Sequence, residues 1–275
     1  MKKIVLSVFI FMLLLCLAGC KNNERKTAVT IISREDGSGT KTAFEDIFKI
    51  EQTTVNAEIT NSTAVMINTV IGDKNSIGYI SLGAINPDIK TIKIDGSECS
   101  AQNIKNGSYK IKRSLNIVTD GRINDIAKDF IKFSLSKEGQ AVVEKSGYIS
   151  IATEEQYNSA NLKGEITVSG SSSVAPVVEK LKEEYIKLNP KVTIEIHQND
   201  STTGIGSIID GIADIGMASR ELKDSEIKKG LSSKTITLDG IAIIVNKKNL
   251  CDELSSEQIN KIFSGIITNW NELRN

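Results

Sequence analysis

Eight residues, Ser33 to Thr40 (SREDGSGT), bring together the donors that a small anion needs. Arg34 presents a planar fork able to grip two oxygens at once, and Asp36 is placed to hold that fork. Ser38 and Thr40 add hydroxyls. Gly37 and Gly39 clear side chains from the backbone and permit φ > 0. An apolar, β-branched run from Ala28 to Ile32 precedes the stretch, and Ala43, Phe44, Ile47 and Phe48 follow at helical spacing. The stretch is therefore a strand-to-helix turn. The opening N–H groups of such a helix lack internal partners and carry the positive end of its dipole, which favours an oxyanion. The turn reads as an anion cradle. A capped surface turn is the plain alternative, because Ser and Thr are good N-caps anyway.

The same signature recurs further along. Ile166 and Val168 lead into Gly170-Ser171-Ser172-Ser173, and a helix follows with Val174, Val177, Val178, Leu181 and Tyr185 on its apolar side. Pro176 lies in its first turn, where a missing N–H costs little. Val192, Ile194 and Ile196 alternate as a strand before Asp200-Ser201-Thr202-Thr203-Gly204, which opens a short helix containing Ile205, Ile208 and Ile209. Asp214 to Arg220 (DIGMASR) is a strand whose exit carries Ser219 and Arg220. Capping explains each turn singly. Together they converge on neutral and cationic donors around one small oxyanion.

Positioning these turns requires alternating strands and helices. A helix is predicted around Thr63 to Ile71 and a buried strand within Asn75 to Ser81. A more polar stretch of strands and turns covers Asp88 to Lys112, and Ser114 to Val118 is another strand. Ile123, Ile126, Ala127, Phe130 and Ile131 mark an amphipathic helix, with a second short one around Ala141 to Glu144. This is α/β periodicity. Thr153 to Leu162 is polar and reads as a linker.

Met1 to Cys20 has the form of a targeting segment: Lys2 and Lys3, an apolar run from Ile4 to Ala18, then Leu17-Ala18-Gly19-Cys20. The closing tetrad resembles a bacterial lipobox, which implies cleavage before Cys20 and lipid on its sulfur. The product would sit on the outer face of the cell membrane, with residues 21–27 as a tether. Losing two of the 34 basic residues against 34 acidic ones takes the net charge from 0 to −2. No basic stripe with interleaved aromatics is present, which argues against a nucleic-acid partner. Cys99 and Cys251 remain, either paired or as two free thiols.

The segments SGSSSVAP (169–176), NDSTTGIGSIIDGIADIGMASREL (199–222), LDGIAIIVN (238–246), IFSGIITNWNEL (262–273) and SREDGSGT (33–40) resemble the phosphate-binding receptors of bacterial phosphate ABC transporters. The resemblance implies a type II periplasmic-binding-protein fold, two α/β domains joined by two hinge strands and closing over phosphate. It also implies a permease and an ATPase as partners, with no cofactor and no metal. In the family, the segment like 164–273 comes first and the one like 28–152 follows. Here the order is reversed, as in a circular permutation. With crossing strands at Ser114–Val118 and Ile241–Asn246, domain I is 113–245, continuous through linker 153–162, and domain II is 28–112 plus 246–275. Two halves from different receptors that no longer share one site, and a domain-swapped dimer, are the alternatives.

Carried over by motif, the family's phosphate contacts fall on Arg34, Ser38, Gly39, Thr40, Ser172, Ser173 and Ser201, with Asp36 bracing Arg34. Near Arg220 the family pattern has an Asp that accepts the ligand's proton, a feature that admits phosphate and repels sulfate. This chain reads Ala-Ser-Arg there. The acceptor is then Asp36, Asp200 or a serine oxygen, and Arg220 either contacts the anion or braces the site. A receptor for another oxyanion such as sulfate is the nearest rival reading, and a surface protein that kept the fold and lost the ligand is another. Trp270 would belong to a partner surface in that case, or pack in domain II. Enzymatic readings find little: the single His197 would have to reach Ser38 or Ser171 to Ser173, and P-loop, nucleophile-elbow and metal-ligand spacings are all missing.

Overall fold

The computed structural model describes residues 27–273. The targeting segment, Cys20 and all of the tether except Thr27 lie outside the described residues. From Thr27 on, two β-branched runs each start the same succession of elements. The first is β1 (Thr30–Arg34), α1 (Gly39–Phe48), β2 (Glu58–Thr60), α2 (Thr63–Gly72) and β3 (Ser76–Ser81), with β1 lying parallel between β2 and β3. Then come β4 (Ile89–Thr91), β5 (Lys93–Ile94), a short α3 (Ala101–Lys105), β6 (Lys112–Thr119), α4 (Asp125–Leu135) and α5 (Lys137–Lys145).

The second succession is β7 (Gly164–Ser171), α6 (Ala175–Leu188), β8 (Val192–Asn199), α7 (Ser201–Ile209) and β9 (Ile215–Ala218), with β7 parallel between β8 and β9. A one-turn α8 (Asp224–Ile227), the long β10 (Ser232–Asn246), β11 (Glu253–Leu254) and α9 (Ser256–Phe263) follow, and a 3-10 turn at Trp270–Leu273 ends the described residues.

The sheet runs β2-β1-β3-β10-β6-β9-β7-β8, with β4 also on β10. Its two ends are alike. In each lobe, three parallel strands are followed by an antiparallel one that has just crossed from the other lobe: β10 against β3, and β6 against β9. Each lobe has its own core. Ile32, Phe44, Ile77, Tyr79, Phe263 and Trp270 belong to the first, while Leu115, Phe130, Val168, Val178, Tyr185 and Met217 belong to the second. Phe44 stacks on Tyr79 at 4.0 Å and meets Phe263 edge-on at 4.6 Å, which fixes α1 against β3 and α9.

The lobes exchange strands earlier on β10 than the apolar pattern places them. Ile241 N–H donates to the Ile111 carbonyl at 2.9 Å, and Arg113 is in register with Asp239. Residues 241–245 therefore pack in the first lobe and not with 113–240. The run Ile-Ala-Ile-Ile-Val is buried on both faces, so its hydrophobicity carries no mark where it changes lobes. The linker 153–162 has no regular secondary structure, yet it is pinned like a strap. Tyr157 donates from its hydroxyl to Asp129 at 2.6 Å and receives Asn189 Nδ2 at 2.8 Å, while its N–H reaches Glu138. The two ends of the described chain lie side by side: Trp270 N–H donates to Thr27 O, and Ala28 bridges Asn269. Trp270 is packed in the first lobe, its indole N–H on Asn75 O.

Candidate functional site

The cradle sits where β1 hands over to α1. Ser38 is the N-cap, accepting Lys41 N–H at 3.3 Å, and the N–H groups of Gly39 and Thr40 find no acceptor among the described residues. Gly37 and Gly39 do not take positive φ. Their value is close approach: a Cβ on Gly39 would lie 2.4 Å from Ser201 Oγ and 2.8 Å from Ser219 Oγ, both in the other lobe.

The second lobe brings three turns to meet it. The Thr40 and Ser173 hydroxyls are hydrogen-bonded across the cleft at 2.9 Å. Thr63, the first residue of α2, reaches Ser173 Oγ at 3.2 Å, and its N–H donates to Ser172 Oγ at 3.4 Å. Ser201 Oγ accepts Ser219 N–H at 3.1 Å, and Ser171 donates to Ser219 Oγ at 3.0 Å. All of these hydroxyls are buried. The structure thus gathers Gly39, Thr40, Ser172, Ser173 and Ser201 at one point, with Ser38 capping the helix that carries two of them. Ser171 and Ser219, named with their turns but not among the carried-over contacts, join them, and so does Thr63, which no turn signal had singled out. Asn61-Ser62-Thr63 is a fourth hydroxyl-bearing helix start, the signal that marks the other three.

Arg34 is only 3 % exposed. Its Nε and Nη2 donate to the two carboxylate oxygens of Glu35, each at 2.8 Å, and Nη2 also reaches Asn61 O at 3.4 Å. Among the described residues Nη1 has no hydrogen-bond partner, so its two N–H groups are unspent. The brace is Glu35 and not Asp36. Asp36 points into solvent and pairs with Lys41, one helical turn on, and that ammonium holds its carboxyl below the usual range.

Arg220 is engaged differently. Nη1 donates to Glu226 and to Glu221 O at 2.8 and 2.9 Å, and Nη2 to Glu226 and Thr202 Oγ1 at 2.8 and 3.3 Å. Only Nε is left. Burial pushes the Glu226 carboxyl up, but the hydrogen bonds from Arg220 and Lys223 N–H outweigh it and hold the group below its ordinary value. No carboxylate hydrogen-bonds to the hydroxyl cluster among the described residues. Asp200 is occupied in capping α7, accepting Thr203 N–H at 2.9 Å and Thr203 Oγ1 at 2.6 Å. His197 is 61 % exposed and faces Glu195, so no imidazole base is hydrogen-bonded to the serines. Cys99 and Cys251 are free thiols, Cys99 with its pKa pushed up to about 12 by burial.

The described arrangement binds and encloses; it holds no nucleophile with a base. A family model for a PBP superfamily domain matches residues 22–138 and 155–275. The phosphate-binding protein PstS 2 of Streptococcus agalactiae serotype V is 49 % identical over 271 residues, 94 % of this chain and 92 % of that protein. A crystal structure of a phosphate-binding protein of a phosphate ABC transporter from Streptococcus pneumoniae TIGR4 superposes with a TM-score of 0.70 at 41 % identity, covering 89 % of this chain and 99 % of that one. The PstS of Staphylococcus haemolyticus is 40 % identical over 121 residues only, 41 % of this chain and 38 % of that protein. With two α/β lobes, a cleft lined by hydroxyls and one arginine with unspent donors, the chain belongs to the PBP superfamily, in the family of the phosphate-binding proteins PstS.

Proposed function

We propose that the chain is an extracytoplasmic receptor that captures inorganic phosphate between its lobes and delivers it to the permease and ATPase of an ABC transporter. The observation that carries this reading is the meeting of hydroxyls from both lobes at one buried point, Thr40 on Ser173 at 2.9 Å, where the cradle that follows Arg34 meets the serine turns of the other lobe. The anion takes its hydrogen bonds from Arg34, from the N–H groups of Gly39 and Thr40, and from Ser38, Thr40, Ser172, Ser173 and Ser201. Thr63 and Ser219 complete the ring. Because these donors come from two lobes, the ligand binds the closed form more tightly than the open one and draws the cleft shut.

A second oxyanion, sulfate, stays in the reading for one reason: among the described residues no carboxylate hydrogen-bonds to the hydroxyl ring, which leaves a serine or threonine oxygen to accept the phosphate proton. Equilibrium dialysis with radiolabelled phosphate tests both points. Saturable uptake at micromolar phosphate, resistant to excess sulfate, is expected; none at all would remove the receptor reading.

Lipid attachment at Cys20 and residence on the outer face of the membrane rest on Leu17-Ala18-Gly19-Cys20 and are checked by palmitate labelling that Cys20→Ser abolishes. The reversed order of the halves is supported by relatives of two kinds, the streptococcal one matching throughout and the staphylococcal one stopping after 121 residues. The likeness of the two lobes and the adjacency of residues 27–29 and 268–270 favour it too, since a permuted chain must have had its new ends close together.

A further inference from the structure

We infer that Thr202, backed by Arg220 and Glu226, is a clasp between the lobes that works without ligand, so that Arg220 governs how readily the cleft shuts and does not touch the anion. The phosphate-capture reading enters only through the clasp's effect on affinity. Three observations carry it. Thr202 donates twice to the Gly37 carbonyl of the opposite lobe, from N–H at 3.2 Å and from Oγ1 at 3.1 Å. Having given its proton away, Thr202 Oγ1 accepts from Arg220 Nη2 at 3.3 Å, and Arg220 is itself fixed by both oxygens of Glu226 at 2.8 Å. Finally, Gly37 must lack a side chain for the lobes to meet, because a Cβ there would stand 2.4 Å from Asp200 Oδ1.

The hydroxyl pairs inside the cleft must be remade to an entering anion. The Thr202 to Gly37 bonds need not be, since both Thr202 donors are already taken by the Gly37 carbonyl and neither is hydrogen-bonded to the hydroxyl ring. They therefore stabilise the closed form with or without ligand. Apparent affinity falls by whatever fraction of the protein is not closed, so weakening the clasp weakens every ligand by the same factor. Arg220, with one N–H left, acts through Thr202 as a positioning residue.

Small-angle X-ray scattering on ligand-stripped protein, combined with dialysis, tests this. Thr202→Val is nearly isosteric at an exposed position, and Arg220→Gln removes the support. Both are expected to enlarge the ligand-free radius of gyration and to raise the dissociation constants of phosphate and sulfate by one common factor, about 3- to 10-fold, the scale of one or two hydrogen bonds. Arg34→Ala is expected to leave the ligand-free radius unchanged while losing far more affinity. The clasp is overturned if Thr202→Val scatters like the parent, or if Arg220→Gln loses as much affinity as Arg34→Ala at an unchanged ligand-free radius. Should the parent bind no phosphate, the receptor reading fails, and the scattering comparison still decides the clasp.

Discussion

The two lobes carry two buried arginines, Arg34 and Arg220, each held at two points by a glutamate, yet the two are spent differently. Among the described residues Arg34 leaves Nη1 without a partner, whereas Arg220 commits both terminal nitrogens to Glu226, Glu221 and Thr202. The surroundings follow suit. The Arg34 lip offers a helix start whose first N–H groups are unspent, whereas the Arg220 lip ends in Thr202, whose N–H and hydroxyl both grip the Gly37 carbonyl of the opposite lip. What an arginine does at a cleft therefore depends on the N–H groups left after its braces are counted, more than on its charge or burial.

The sharpest way to break this contrast is to remove the unspent donor. Arg34→Ala is expected to weaken phosphate binding by about 2 to 5 kcal/mol, as when one member of a buried charged pair is removed. Isothermal titration calorimetry would show it, and a loss under about 0.5 kcal/mol would take Arg34 out of the site. Gly39→Ala should come next. Its methyl meets Ser201 Oγ and Ser219 Oγ, which costs closure about 1 to 3 kcal/mol, while the melting temperature without ligand stays near the parent's.

Smaller effects separate the braces. Glu35→Gln should raise the phosphate dissociation constant about tenfold by loosening the two-point hold on Arg34. Asp36→Asn, at a solvent-facing position, should leave it within a factor of about two. Equal effects from the two would mean that Asp36 shares the hold on Arg34. On the other lip, Glu226 has its folded pKa lowered below the 4.5 of the free side chain, so its contribution is full above that value and is lost as pH falls through the folded one. The ligand-free radius of gyration should therefore grow as the pH falls below 4.5 in the parent, and Glu226→Gln should flatten that response.

Much of this was legible in the residues. Strand-to-helix turns announced by Gly-Ser and Ser-Thr clusters mark the helix starts that meet in the cleft, because orphan N–H groups and short hydroxyls are local features. What was not legible depends on side-chain direction and long-range register. Glu35 and Asp36 are adjacent carboxylates, and only the fold turns the first toward Arg34 and leaves the second to Lys41. Thr63 lies in an apolar helix whose packing explains it without a cleft. The crossing on β10 is hidden in a run buried on both faces, where period-two alternation disappears.

The closeness of residues 27–29 to residues 268–270 means that the fold is almost a closed ring. A ring has no preferred starting point. A short peptide joining Leu273 to Thr27, with the polypeptide reopened in the strap near Asn158, would write the two halves in the opposite order without moving any residue that lines the cleft. A fluorophore grafted at that new opening would carry a label without touching any residue that lines the cleft.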